Sequence, residues 1–99
     1  MRRGSTPTFV CCLPSAASHY CEIELIFVQD GKEILKIGKN RMSAEQNEVS
    51  FTMTVTETMT FAPAVPAEMQ LRLVDLDGAV WVSDIRTVTV RKKYPEDAV

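Results

Sequence analysis

The chain reads as an all-β protein, a two-layer antiparallel β-sandwich of immunoglobulin-like type with six to seven strands. Three observations carry this. Asp30-Gly31 and Asp77-Gly78 each stand between apolar runs of strand length, the pattern of a hairpin turn. Val49-Ser50-Phe51-Thr52-Met53-Thr54-Val55-Thr56 alternates apolar and hydroxyl residues with period two, as a half-buried strand does. No helical pattern longer than a turn is available to cover the strands, so a second sheet must.

The elements follow in order. Thr8 to Leu13 is a short apolar edge strand, and Pro14 to Ser18 a loop. Cys21 to Gln29 and Lys32 to Gly38 form the first hairpin around Asp30-Gly31. Lys39 to Glu48 is a polar connection with one helical turn at Ser43-Ala44-Glu45-Gln46. The alternating strand from Val49 puts Val49, Phe51, Met53 and Val55 on one face, and Met59 and Phe61 keep that parity. Ala62 to Ala67 contains Pro63 and Pro66, cannot sustain a ladder and is a loop. Glu68 to Val90 supplies the second hairpin and a last strand at Thr87-Val88-Thr89-Val90.

Ninety-nine residues make a single domain, 1–99, with flexible ends expected at 1–7 and 94–99. With 45% apolar and 24% charged residues the composition is globular rather than disordered. A net charge of -2 offers no general attraction for nucleic acid, and Arg2-Arg3 and Arg91-Lys92-Lys93 read as solvated ends. No apolar run approaches the ~20 residues that span a bilayer. Phe9 to Leu13 is too short for the apolar core of a signal peptide and is flanked by Pro7 and Pro14, so synthesis without export is expected.

The residues show little chemistry. Cys12, His19 and Cys21 are half of a zinc pattern with no second half, so no metal is expected. Three cysteines, two of them adjacent, do not make a disulfide framework, and reduced thiols are simpler. His19 is the sole histidine and lacks an orienting partner for thiol catalysis. Asp75-Leu76-Asp77-Gly78 opens like a calcium loop, but Arg86 falls at the last ligand position, and Asp77 is better explained by the turn. Phosphate-cradling and nucleophile motifs are lacking, so neither an enzyme nor a cofactor is expected.

Pairing across the turns locates candidate contact residues. With Asp77 and Gly78 as the two central residues, Val74 opposes Trp81 and Arg72 opposes Ser83. Met69, Leu71, Leu73, Val80 and Val82 then form the core face, while Gln70, Arg72, Val74 and Trp81 turn outward. In the first hairpin Phe27 opposes Ile34 and Ile26 opposes Leu35, leaving a second apolar face of Ile26, Val28, Leu35 and Ile37. Either another segment or chain covers that face, or a β-bulge reassigns its side chains. Ile26, Val28, Leu35 and Ile37 are the first candidates for a protein interface, with Arg72 and Trp81 second.

Three ordered pieces carry a resemblance. They are Val28-Gln29-Asp30-Gly31-Lys32-Glu33-Ile34-Leu35-Lys36, then Phe51 through Phe61, then Met69-Gln70-Leu71-Arg72-Leu73 through Asp77-Gly78, Ser83-Asp84-Ile85 and Thr87-Val88-Thr89-Val90. Across about two thirds of its length the chain resembles small β-rich proteins encoded among the tail and baseplate structural genes of phages and prophages of Gram-positive bacteria. Cys11-Cys12, Cys21 and the ending Tyr94-Pro95-Glu96-Asp97-Ala98-Val99 depart from that pattern. The resemblance implies a non-enzymatic component of the virion or of its assembly in the bacterial cytoplasm. It would associate with itself or with other phage structural proteins, and no catalytic residue comes with it. The rival reading is a small carbohydrate- or cell-surface-binding sandwich that uses Trp81, flanked by Arg72 and Gln70.

Overall fold

The protein is described over residues 1–91 by a computed structural model. Its elements are β1 (Thr8–Cys12), β2 (Tyr20–Gln29), β3 (Lys32–Gly38), β4 (Ser43–Glu45), β5 (Glu48–Thr52), α1 (Val55–Met59), β6 (Ala67–Asp75), β7 (Val80–Val82) and β8 (Arg86–Val88). One sheet has the order β1-β5-β4. The other has the order β3-β2-β6-β7, with β8 also paired to β6. All pairings between these strands are antiparallel and the two sheets pack together, so the fold is an all-β sandwich. β7 and β8 are two halves of one returning strand. Between them Ser83 keeps the ladder going: its N–H donates to Leu71 O at 2.9 Å, and its hydroxyl accepts Leu71 N–H at 2.9 Å.

The layers meet because one face of each sheet is apolar. Ile23, Leu25, Phe27, Leu71 and Leu73 of the larger sheet are buried against Val49 and Phe51 of the smaller one. Phe27 is the hub of the aromatic centre. Its ring meets Phe9, Phe51 and Phe61 edge-on at 5.4, 6.2 and 5.6 Å, and Phe9 stacks on Phe51 at 5.4 Å. Burying such a ring contributes roughly 2–3 kcal/mol, and each ring pair about 1 kcal/mol more.

Hydrogen bonding fixes the connections. Gln29 is buried at the end of β2, donates to Ala62 O and Val65 O at 3.2 and 2.8 Å, and accepts Ala62 N–H at 2.8 Å. One amide thereby ties down the proline loop. The segment before β1, expected as a flexible end, is held at several points. Met1 N donates to Thr89 O at 2.7 Å, Arg91 N to Met1 O at 2.7 Å, Gly4 N to Thr58 Oγ1 at 3.0 Å and Met53 N to Pro7 O at 2.9 Å. The end expected at 94–99 lies outside the described residues.

Four expectations are corrected. The strand from Val49 stops at Thr52, because Thr54 and Glu57 form a capping box that starts α1. Thr54 Oγ1 accepts Glu57 N–H at 3.1 Å and Glu57 Oε1 accepts Thr54 N–H at 2.9 Å. Val49, Phe51 and Met53 are buried as expected, whereas Val55 is exposed. Ser43 to Glu45 is a strand rather than a helical turn, since it finds a partner edge on β5.

The remaining two corrections concern register. The first hairpin has its two-residue turn at Asp30-Gly31, with φ of 50° and 74°, but a bulge at Phe27/Val28 leaves Phe27 opposite Leu35 and Leu25 opposite Ile37. Leu35 and Ile37 therefore join the core face. In the second hairpin the loop has three residues, Leu76-Asp77-Gly78, closed by Asp75 N–H to Ala79 O at 3.0 Å. Asp75 Oδ1 accepts the Asp77 and Ala79 N–H groups, both at 2.9 Å, and Gly78 takes the positive φ of 89°. Asp75, not Asp77, supplies the turn chemistry. The extra loop residue puts Trp81 opposite Leu73 and Val82 opposite Arg72, so every β7 side chain changes face.

Candidate functional site

The six candidate contact residues do not form one surface. Ile37 is 1% exposed and belongs to the core, and Leu35 packs against it, so neither is an outward contact residue. The bulge is the physical reason, because the extra residue at Ile34 advances the pleat by one position. Ile26 and Val28 remain half-buried on the outer face of the larger sheet. There they line a shallow hollow of about 120 Å³ with Gln70 and Ile85.

Arg72 shares that outer face and is engaged within the chain. Its Nη1 lies 2.8 Å from Glu24 Oε1 and 3.6 Å from Glu22 Oε2, and Lys36 Nζ is 3.6 Å from Glu24 Oε2. This ion-pair band crosses β3, β2 and β6, level with Val82, and separates Ile26 and Val28 from Val74 and Val80.

Trp81 stands elsewhere, at the open edge of the sandwich. The register of β7 turns it toward the inner side of the sheet, and it is 44% exposed because β7 is the outermost of the described strands. It lines a groove of about 410 Å³ between the edges of the two sheets. Val10, Cys11 and Cys12 of β1 form one wall, Trp81, Ser83, Asp84 and Arg86 form the other, and Leu25 and Leu71 form the floor.

Val80, Val82 and Ile85 are exposed beside Trp81, giving this edge most of the large apolar side chains that the described residues leave open to solvent. A two-residue loop would place Val80 and Val82 in the core; the observed register places them on the outer face. The available signal was the uncharged run Val80-Trp81-Val82, an edge without the lysine or proline that usually blunts one.

The reactive groups are dispersed. Burial, and secondarily the neighbouring Cys12, pushes the Cys11 thiol above its ordinary range, which opposes thiolate formation. Cys21 Sγ donates to Asp75 O at 3.3 Å. Among the described residues all three cysteines are free, and no group of three histidine, cysteine or carboxylate side chains is gathered for a metal. Arg2 and Arg3 are brought beside Arg91: Arg3 N donates to Arg91 O at 3.0 Å, and Arg2 bridges Arg91. No described helix is long and apolar enough to cross a membrane.

No known protein family, curated protein or solved structure matches the chain.

Proposed function

We propose that the chain is a non-enzymatic structural sandwich that works by binding other proteins, in a phage or prophage tail or baseplate or during its assembly. The apolar edge at Val80, Trp81, Val82 and Ile85 carries the association part of this reading. An uncharged strand end with open backbone groups favours addition of another strand, and exposed apolar clusters on small domains serve contacts. The tail setting rests on the resemblance of the three ordered segments. Mass spectrometry of particles purified after prophage induction tests it: stoichiometric recovery with tail proteins supports the setting, and absence from both particles and assembly intermediates overturns it.

The carbohydrate reading is favoured by one observation, the placement of Trp81 in a groove with Ser83, Asp84 and Arg86 as polar neighbours. Saturable binding to a glycan array or to purified cell wall, lost in Trp81→Ala, would replace the association reading. The absence of such binding leaves association ahead.

A further inference from the structure

The strand β7 is complementary to itself. Ala79 O accepts Asp75 N–H and Ser83 N–H donates to Leu71 O, so Ala79 and Ser83 direct peptide groups toward β6. Alternation along a strand then turns Trp81 toward β6 as well, and leaves the N–H and C=O of Val80 and Val82 pointing away from the sheet. Among the described residues no strand lies on that side. An antiparallel copy of β7, placed with Trp81 opposite Trp81, sets Val80 against Val82 at both ends of the run. That is a register in which each Val80–Val82 pair exchanges two main-chain hydrogen bonds.

The side chains agree with this register. Val80 and Val82 lie on the outer face, 56% and 48% exposed, and each gains an apolar cross-strand neighbour. The two Trp81 rings meet on the inner side, over the mouth of the groove.

We infer that β7 pairs with β7 of a second copy about a two-fold axis at Trp81, joining two larger sheets into one continuous sheet. This rests on the association reading above and names its partner. A two-fold pairing of identical edges is closed, so it yields a dimer and not a fibre.

Sedimentation equilibrium and site-directed cross-linking test the inference. The wild-type protein is expected to be a dimer at concentrations up to about 100 µM, and Val82→Pro is expected to be a folded monomer. Proline there removes only an outward N–H that the chain itself does not use. In a background with Cys11, Cys12 and Cys21 changed to serine, Trp81→Cys should form an intermolecular disulfide on mild oxidation. Val80→Cys alone should not, whereas Val80→Cys mixed with Val82→Cys should.

A wild-type monomer throughout that range overturns the inference. So does a dimer that fails to cross-link at position 81. If Val82→Pro loses its β-type circular dichroism, the cross-linking pattern alone decides. Failure here leaves the particle mass spectrometry to judge association with other proteins, so the two readings fail separately.

Discussion

Arg41 and Glu57, 16 residues apart, meet as a two-pronged ion pair, with Nη1 2.8 Å from Oε2 and Nη2 2.9 Å from Oε1. The same carboxylate closes the capping box with Thr54, so one side chain both starts α1 and ties it to the turn after β3. The Arg41 hydrogen bonds, with help from the Thr54 N–H, hold the Glu57 carboxyl at about 2 against an ordinary 4.5.

A folded-state value below the unfolded one means that Glu57 contributes its full stability above the ordinary carboxylate range and loses it as pH falls toward about 2. Thermal melts between neutral pH and pH 2 should show the wild type losing stability more steeply than Glu57→Gln. At neutral pH Glu57→Gln should be less stable by about 1 kcal/mol, the scale of a helix cap. Parallel pH profiles for the two proteins would contradict this assignment.

Gln29→Leu should cost about 3 kcal/mol. The substitution keeps the volume but strands Ala62 N–H, Ala62 O and Val65 O inside the proline loop. Urea unfolding measures the loss, and faster amide exchange at Ala62 should accompany it.

Ile37→Ala and Ile26→Ala separate the two faces of the first hairpin. The buried Ile37 should lose roughly 2–4 kcal/mol, and the half-buried outer Ile26 about 1 kcal/mol. Equal losses in chemical denaturation would mean that the bulge at Phe27/Val28 is absent in solution.

Asp75→Ala should destabilise the second hairpin by about 2 kcal/mol, since Asp75 Oδ1 serves two N–H groups. Asp75→Asn keeps the accepting oxygen and should recover most of the loss. A matching series at Asp77 should be nearly silent, and calorimetry on the four proteins distinguishes the positions.

Much of the fold is legible in local chemistry. Asp30-Gly31 specifies a turn because adjacent positive φ values suit that dipeptide, and Val49, Phe51 and Met53 reveal a buried face by period two. The Thr54-x-x-Glu57 box was also readable, but the alternation running through Val55 concealed it. The candidate site was less legible. A two-residue turn puts Trp81 on the outward face with Arg72 and Gln70 and hides Val80 and Val82 in the core, and an unbulged first hairpin puts Leu35 and Ile37 on the surface; the structure reverses each of these placements.

Both errors have the same size, one residue, and that is enough to invert a strand. By itself the sequence determined that this is an all-β chain, where its hairpins turn and which segments alternate, because these depend on torsional preference and on neighbours a few residues apart. Only the tertiary structure decided which side of each strand faces the second sheet. The bulge at Phe27/Val28 and the three-residue loop held by Asp75 are chosen by the packing they permit, burying Ile37 and leaving β7 as an open edge.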